Sequence, residues 1–379
     1  MSATLNSKIA FTETYTFDDV LLVPNYSEFL RDEVNLEVLL HPKIKLNLPI
    51  VSSPMDTVSL SPMAISLAQR GGLGFIHRNL SIQDQMNEVV NVKNASLSGE
   101  GKDATDENGK LIVGAAVGIG GDLQERLQGL IEVGANIILV DSANGNTKGI
   151  IDVVKFIKAN YQIPVMAGNI CTYEGAKNLI EAGSDSLRVG MGPGSICTTR
   201  IVTGIGMPQL TALSEVCRAV KESGQNVTVV ADGGIKQIGD VSKALGFGAD
   251  CAMLGSMLAG FDESPGNLIE NNGQRFKSYR GMGSVGAMKA GSNARYGQGP
   301  DPKKMVAEGV EGLVKYKGEV GHFLNQVEGG LRSSLFYTGF QNIAEFQSGA
   351  KFVKISNAGL KESHPHDIFL IDAGASYFG

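Results

Sequence analysis

A short unit that recurs eight times constrains the fold of this chain more than any other feature. Each copy is an apolar run that ends in Gly, Ser, Asp or Asn and is followed by a segment with the apolar spacing of a helix. The eight runs cover residues 48–56, 71–77, 111–118, 136–145, 163–169, 186–194, 227–234 and 251–257. Because the runs are continuously apolar rather than alternating, they indicate strands of a parallel sheet that is buried on both faces.

Eight strand–helix units favour an α/β fold in which the sheet closes into a (β/α)8 TIM barrel. The alternative is a doubly wound open sheet, which is disfavoured by the count of eight and by the lack of a GxGxxG motif after the first run. We therefore predict a single catalytic barrel domain over residues 1–379, with an active-site flap and a C-terminal extension.

Composition and charge exclude several classes of partner. The net charge is −6 and no block of Lys or Arg stands out, so nucleic acid and anionic membranes are not expected partners. No apolar run has the length of a membrane span, and the N-terminal residues lack the pattern of a signal peptide. The four cysteines Cys171, Cys197, Cys217 and Cys251 show no CxxC or metal-binding spacing, which predicts reduced thiols in a cytoplasmic protein.

Two segments interrupt the repeat. Residues 93–109 are polar and rich in Gly and Ser, and we interpret them as a flexible surface linker. Residues 289–307 belong to a long glycine-rich, basic stretch, which predicts a mobile active-site flap. Beyond the flap, helices are predicted around 310–317 and 327–338, while the early apolar run 17–27 predicts an entry strand or a cover.

The stretch 187–200 carries the clearest chemical signal. An apolar strand leads into Gly190, Gly192 and Gly194, and a single cysteine, Cys197, follows them. Glycines after a strand let successive backbone N–H groups point at one anion, and a thiol beside such a cradle is a candidate nucleophile. The same pattern also suits a plain turn with a buried thiol, and the residues of this stretch alone do not decide between the two.

Polar side chains end the predicted strands. In a parallel barrel the carboxyl ends of all strands meet on one face, where (β/α)8 enzymes carry their active sites. We therefore expect one rim to hold the following residues: Ser53, Asp56, His77, Asp141, Ser142, Asn169, Cys197, Asp232, Gly255 and Ser256.

Five motifs in a fixed order make a family resemblance specific. They are SSPMDTV, GMGPGSICTTR, VVADGGI, YRGMGS and GSNARYGQG, and together they resemble the inosine monophosphate dehydrogenase family over nearly the whole chain. Members of that family usually carry two CBS-type regulatory modules after the second barrel unit, where this chain has only the short 93–109 linker. Either the chain is a naturally short member or the modules were removed by engineering, and a regulatory response through them is not expected.

The resemblance implies the NAD-dependent oxidation of inosine monophosphate (IMP) to xanthosine monophosphate (XMP), a step of guanine nucleotide biosynthesis. Cys197 would attack C2 of the purine, hydride would pass to NAD, and the covalent thioimidate would then be hydrolysed. The resemblance gives the role of base to Arg295, with Tyr296 beside it and Thr199 placing the water. From the residue type alone, an ion pair between Arg295 and a phosphate or carboxylate is the simpler interpretation.

The resemblance also implies the ligand-binding residues. The substrate phosphate is expected at Ser195, Gly233, Gly234, Gly255 and Ser256, and its ribose at Asp232. The hypoxanthine edge is expected at Tyr279, Gly281, Met282, Gly283 and Glu308, with Ser53, Met55, Asn169 and Arg188 around the ribose, base and loop. The NAD site is expected to include Asp141, Ser142, Ala143, Gly190, Met191 and Gly192.

A monovalent cation, K⁺, is the family's second cofactor. It would be held by the carbonyls of Gly192, Gly194 and Cys197, because carbonyl oxygens suit a hard cation. Glu362, Ser363 and His364 of a neighbouring subunit would complete the site, which implies a homotetramer. From the sequence alone, these three residues also suit a solvated turn.

Two other functions remain open at this stage. GMP reductase is a related barrel that uses NADPH to deaminate GMP, and the short chain suits it. The Arg295–Tyr296 pair argues for the dehydrogenase, because a reductase has no hydrolysis step. A non-catalytic scaffold that only binds a nucleotide would not need both Cys197 and Arg295.

Overall fold

The computed structural model describes residues 8–299, 301 and 303–371, and it confirms the predicted barrel. Eight parallel strands form one sheet in the order β4-β11-β10-β9-β8-β7-β6-β5. The strands are β4 (Ile50–Ser52), β5 (Gly74–Ile76), β6 (Val113–Val117), β7 (Ile137–Asp141), β8 (Val165–Ile170), β9 (Ser186–Val189), β10 (Thr228–Asp232) and β11 (Cys251–Leu254). A parallel bridge between Val51 and Leu73 joins β4 to the start of β5 and closes the barrel.

Helices surround the sheet as the repeat predicts. They are α1 (Ser61–Gln69), α2 (Ile82–Asn94), α3 (Leu123–Glu132), α4 (Lys148–Asn160), α5 (Tyr173–Glu181), α6 (Thr199–Thr203), α7 (Gln209–Ser223) and α8 (Ile238–Gly246). Their apolar faces pack on strands that are almost wholly buried, which explains why the eight runs carry few polar residues before their carboxyl ends. Within the described residues, no helix is both long enough and apolar enough to cross a membrane.

The segment after β11 departs from the predicted helices. Strands β12 (Leu268–Asn271), β13 (Gln274–Arg280) and β14 (Glu311–Lys315) form an antiparallel sheet. The helix predicted around 310–317 is therefore wrong, because these residues pair with β13 from Arg280 to Phe276. The flap between β13 and β14 contains the short helix α9 (Val285–Lys289) and a 3₁₀ turn (Ser292–Tyr296).

The eighth barrel helix follows this insertion. It is α10 (Val320–Thr338), which begins seven residues earlier than the helix predicted around 327–338. Its first N–H group, that of Val320, donates to the Glu263 carboxylate, which satisfies a helix end that has no intrahelical partner. The chain then continues through α11 (Ile343–Gly349), β15 (Phe352–Lys354) and α12 (Asn357–Glu362).

The early segments cover the outside and the amino-terminal end of the barrel. Strand β1 (Val20–Leu22) pairs antiparallel with β15, so the predicted entry strand or cover is a cover. The hairpin of β2 (Val38–His41) and β3 (Ile44–Leu46) closes the amino-terminal end, where the Leu40 carbonyl accepts from Thr228 Oγ1 at 3.0 Å.

The 93–109 linker is more ordered than the sequence suggested. Its first two residues end α2, and Lys93 Nζ donates to Asp106 Oδ2 at 2.8 Å. Ala104 is buried, and its N–H donates to the Ala68 carbonyl at 2.7 Å. The interpretation as an unpacked surface linker is therefore wrong for part of this segment, because these polar contacts anchor it across the barrel end.

Candidate active site

One cavity at the carboxyl ends of the barrel strands collects most of the predicted site residues. It holds about 1060 Å³ of empty space, including its open mouth. The predicted residues that line it are Ser53, Met55, Ala143, Asn169, Arg188, Gly190, Met191, Gly192, Gly194, Ser195, Cys197, Thr199, Asp232, Gly233, Gly234, Gly255, Ser256, Tyr279, Gly281, Met282, Gly283, Arg295, Tyr296 and Glu308. Asp141 and Ser142 are buried beside this cavity rather than in its lining.

The cysteine loop leaves β9 through a turn that only glycine tolerates. Gly190 has a φ of 148°, and a Cβ on it would lie 1.9 Å from the Asp232 carbonyl oxygen. The Asn169 side-chain amide donates to the Gly190 carbonyl at 2.9 Å. This close approach of β9 to β10 turns the chain, so that the loop carries Cys197 over the mouth of the barrel.

The thiol itself lies at the loop end and is half-buried. Cys197 Sγ donates to Thr199 Oγ1 at 3.2 Å, which puts the predicted nucleophile next to the predicted water-placing hydroxyl. The loop is joined to the base of the flap, because Thr198 N donates to the Glu308 carbonyl at 2.9 Å. Val310 N also donates to the Ile196 carbonyl at 3.0 Å. Backbone hydrogen bonds therefore connect the loop that carries Cys197 to the base of the flap.

A buried arginine, Arg188, links three strand ends below the cavity. Its Nη1 lies 2.5 Å from Asp141 Oδ1, and its Nε lies 2.9 Å from Asp232 Oδ2. Its Nη2 donates to Ser53 Oγ at 3.2 Å. Asn169 Nδ2 donates to the same Asp232 oxygen at 2.7 Å. These charge-assisted bonds fix the orientation of both carboxylates before any ligand arrives.

The flap is docked onto this network. Arg295 forms an ion pair with Asp141, and its Nη2 donates to Asn169 Oδ1 at 3.3 Å. The Arg295 carbonyl accepts from the Ala143 N–H at 3.1 Å. Asp141 Oδ2 is buried and has no hydrogen-bond partner within the described residues.

Tyr296 packs beside Arg295 at the inner surface of the flap. The Arg295 guanidinium lies 5.9 Å from the centre of the Tyr296 ring. Burial raises the pKa of Tyr296, and a nearby Cys197 thiolate would raise it as well. The phenol therefore stays protonated at neutral pH and can donate a hydrogen bond in the cavity.

The opposite end of the cavity has the geometry of an anion cradle. Within the described residues, the N–H groups of Gly234, Ile235 and Ser256 have no intramolecular acceptor. All three residues line the cavity, and Gly234 has a φ of 78° that turns its peptide away from the sheet ladder. Unpaired N–H groups and hydroxyls that converge in this way suit a phosphate.

Tyr279 lies next to Gly255 in the lining of the cavity. Its hydroxyl lies 4.0 Å from Met55 Sδ, and burial raises the pKa of Tyr279 to about 12. A Cβ on Gly255 would lie 3.3 Å from the same hydroxyl, so glycine leaves the room that it needs. The neutral phenol can therefore donate a hydrogen bond, and the hypoxanthine contact implied by the resemblance stays a prediction.

The predicted K⁺ ligands form two groups. Gly192, Gly194 and Cys197 lie in the loop, and the Gly194 carbonyl also accepts from Cys197 N at 3.1 Å. Glu362, Ser363 and His364 are exposed around the end of α12 and do not line the cavity. Among the described residues, no group of three or more His, Cys, Asp or Glu side chains is placed to hold a metal ion. The expected K⁺ ligands in the loop are backbone carbonyl oxygens, not such side chains.

The sequence did not single out several residues that line the cavity. They are Pro54, Pro193, Ile196, Ile235, Lys236 and Met253. Each lies within or beside a segment that the sequence analysis chose, so its position next to chosen residues was the only sequence feature that could have identified it. Gln209 was also missed, although its Nε2 donates to the Val189 carbonyl at 2.8 Å and to the Asp232 carbonyl at 3.1 Å. Its long-range role cannot be predicted from its place at the start of α7.

The barrel and its cavity define a (β/α)8 enzyme that combines a thiol, an anion cradle and a docked arginine flap. A family model described as the IMP dehydrogenase / GMP reductase domain matches residues 14–366. The inosine-5'-monophosphate dehydrogenase of Borreliella burgdorferi is 45% identical over 398 aligned residues, which cover 95% of this chain and 98% of the relative. The corresponding protein of Cryptosporidium parvum is 44% identical over 392 residues, covering 96% and 97%.

The chain therefore belongs to the IMP dehydrogenase / GMP reductase family. A further relative, the inosine-5'-monophosphate dehydrogenase of Aquifex aeolicus, is 39% identical over 482 aligned residues, covering 97% of this chain and 98% of the relative. That alignment is much longer than this chain, so it contains residues that this chain lacks. The two shorter alignments cover nearly all of this chain and of each relative.

Proposed function

We propose that this chain oxidises IMP to XMP with NAD as hydride acceptor. One observation carries the proposal: Arg295 and Tyr296 are docked in the same cavity as Cys197 and Thr199. A thiol alone suits either activity that the family description names. An arginine and a tyrosine brought to the thiol by a flap supply the groups that a hydrolysis step needs, and only the dehydrogenase has that step.

The first half-reaction uses Cys197. After loss of its proton to solvent, its sulfur adds as the thiolate to C2 of the purine, and the hydrogen at C2 leaves as hydride with both electrons of its bond. The C2=N bond then reforms, which gives a thioimidate on the enzyme. A thiolate suits this step because it is a strong nucleophile and also leaves readily in the next one. Bound NAD would supply the acceptor for the hydride at its nicotinamide ring.

The second half-reaction needs water and a base. Water adds to C2, its proton passes to the base, and the Cys197 sulfur departs with the electron pair of the C–S bond. We assign the base to Arg295 and the placement of water to Thr199, whose hydroxyl lies 3.2 Å from the sulfur. Separate measurement of the two half-reactions distinguishes this role from that of an arginine that only pairs with Asp141.

The cradle sets the orientation of the substrate. The phosphate binds the N–H groups of Gly234 and Ser256 together with the hydroxyls of Ser195 and Tyr279. The ribose hydroxyls bind Asp232, whose Oδ2 is already fixed by Arg188 and Asn169. The purine then lies toward Cys197, between Met55 and the backbone of Gly281, Met282 and Gly283, with Glu308 at its edge. A phosphate and a ribose held at fixed points place C2 without requiring strong contacts to the base.

The residues present fit NAD at the position where the flap is docked. Asp141 has a buried carboxylate oxygen that finds no partner in the described part of the chain, which is the acceptor that a ribose hydroxyl requires. Ser142 and Ala143 lie next to it, and Gly190, Met191 and Gly192 border the cavity on the other side. Because Arg295 pairs with Asp141 and its carbonyl accepts from the Ala143 N–H, the docked flap uses residues of the expected cofactor site, and we infer that the flap and the cofactor exclude each other. The two half-reactions are thereby separated in time.

We also propose that the chain binds K⁺, forms a homotetramer and is located in the cytoplasm. The loop carbonyls of Gly192, Gly194 and Cys197 are oxygen donors of the right kind for a monovalent cation. Glu362, Ser363 and His364 are exposed and therefore accessible to a second copy of the chain.

A product assay separates the two activities that the family description names. Purified protein with IMP and NAD should yield XMP and one NADH for each XMP, identified by chromatography and absorbance. The matched reaction with GMP and NADPH should yield no IMP and no ammonia. The opposite pattern would identify a reductase, and binding of IMP without either product would identify a scaffold.

A further inference from the structure

The turn that follows β11 carries the cradle residues Gly255 and Ser256, and a lysine from a different element is bound beneath it. Lys317 Nζ donates to the Met257 carbonyl at 3.1 Å and lies 3.5 Å from the Ser256 carbonyl. Its backbone N–H donates to the Gly260 carbonyl at 2.9 Å. Lys317 therefore contacts both ends of the turn that presents the cradle.

The Ser256 N–H of the cradle is oriented by the first peptide of this turn. The Gly255 carbonyl accepts from Leu258 N and Ala259 N, each at 3.0 Å, and it shares a peptide plane with the Ser256 N–H. Lys317 holds the carbonyls of the next two peptides, those of Ser256 and Met257. Lys317 therefore supports the turn on the carboxyl-terminal side of Ser256, and the Gly255 carbonyl fixes the direction of the cradle N–H itself.

We propose that Lys317 is a positioning residue for the substrate phosphate, acting through the turn at residues 255–260 and through its positive charge. The inference rests on the proposed function, because it assumes that the cradle holds the phosphate of IMP. Lys317 itself does not line the cavity, so the effect is transmitted by the turn rather than by direct contact.

The charge of Lys317 is sensitive to pH in the range in which the enzyme can be assayed. Burial lowers the pKa of Lys317 to about 8. The ammonium lies 5.1 Å from the centre of the Phe261 ring, a contact that favours a cation. We therefore expect the Lys317 ammonium to place a positive charge behind the cradle at neutral pH and to lose this charge above about pH 8.

The other charged groups on the surrounding elements have partners of their own. Asp262 accepts from the Tyr316 hydroxyl at 2.8 Å, and Glu263 accepts from Val320 N at 3.0 Å. Lys277 Nζ donates to the Phe261 carbonyl at 2.8 Å. Tyr279, with a pKa of about 12, does not change charge near pH 8. The phosphate of IMP, with its second pKa about 6, is fully ionised there.

Calorimetric titration of IMP into the protein at about pH 7 and about pH 9 tests the proposal. For the unsubstituted protein we expect the Kd for IMP to rise about tenfold between the two pH values, as one lost charge at close range predicts. Lys317→Met should bind IMP about tenfold more weakly at the lower pH and show no further loss at the higher pH. Lys317→Arg should bind as the unsubstituted protein does at the lower pH and keep that affinity at the higher pH.

Kinetics and a matched lysine complete the test. Lys317→Met should raise the KM for IMP while kcat at saturating IMP changes less than about twofold, because the thiol and flap are untouched. Lys315→Met removes an exposed lysine two residues away and should change neither constant. If Lys317→Met does not fold, the comparison of Lys317→Arg with the unsubstituted protein across the two pH values decides. An unchanged pH dependence in the arginine variant would overturn the proposal.

The failure of this inference differs from the failure of the proposed function. If the unsubstituted protein does not bind IMP at either pH, the proposed substrate is wrong. If it binds IMP and Lys317→Met retains both the affinity and the pH dependence, the substrate assignment stands and the role of Lys317 is wrong.

Discussion

Replacement of Arg295 by alanine tests whether the flap supplies the base for hydrolysis. The variant removes the ion pair with Asp141 and the 3.3 Å hydrogen bond to Asn169. Arg188 still lies 2.5 Å from Asp141, so the buried carboxylate keeps one charged partner. We therefore expect the free energy of unfolding to fall by no more than about 1–2 kcal/mol, less than the cost of a wholly unpaired buried charge.

The effect on turnover should be much larger than the effect on stability. Loss of a general base slows the step that it serves by about 10²- to 10⁴-fold, which is about 3–5 kcal/mol of barrier. Hydride transfer does not use Arg295, so the first turnover should remain fast. Rapid mixing with IMP and NAD should show a burst of NADH, equal to the enzyme concentration, followed by a slow steady state.

One outcome of this experiment would contradict the assignment of Arg295 as the base. If the burst disappears together with steady-state turnover, Arg295 acts before hydrolysis or supports the whole site, and the base assignment is wrong. Lys289→Ala is the matched control, because it removes an exposed cation from the same flap. It should leave both phases close to those of the unsubstituted protein.

Three further predictions follow from the same geometry. Cys197→Ala should abolish NADH formation while calorimetry still detects IMP binding, and any residual burst would assign hydride transfer to a different group. Gly190→Ala should lower the unfolding free energy by at least about 3 kcal/mol in chemical denaturation, because its Cβ would lie 1.9 Å from a carbonyl oxygen. Gly204→Ala, also at positive φ but with open space around it, should cost only about 1 kcal/mol. Replacement of K⁺ by Na⁺ in the assay should slow turnover, and an unchanged rate would contradict the proposed K⁺ site.

The barrel could be predicted because its signal is local and repeated. Each strand is a continuous apolar run, and each run ends in a turn residue, so the parallel sheet follows from the burial of both faces. The segment 310–317 was predicted wrongly for the same reason, since a short run with mixed spacing suits either a helix or a strand. Its pairing with β13, about 35 residues earlier in the chain, decides the outcome.

The sequence identified some residues of the site but did not reveal the roles of others. The thiol, the glycines and the strand-end carboxylates could be chosen because each residue type has a chemistry of its own at a strand end. Contacts between distant elements determine the roles of Arg188, Gln209 and Lys317. No local sequence pattern predicts such contacts. The position of Tyr279 is also of this kind, because its hydroxyl approaches Gly255 and Met55 only in the folded barrel.

The central claim is that the Cys197 sulfur forms a bond to C2 of the substrate purine. Mass spectrometry of Arg295→Ala, quenched after one turnover with IMP and NAD, tests this claim most directly. We predict a protein whose mass has increased by that of one IMP less two hydrogens, the hydride lost at C2 and the proton lost from the thiol, with the adduct on the peptide that contains Cys197. An unmodified Cys197 peptide after a full burst of NADH would contradict the account.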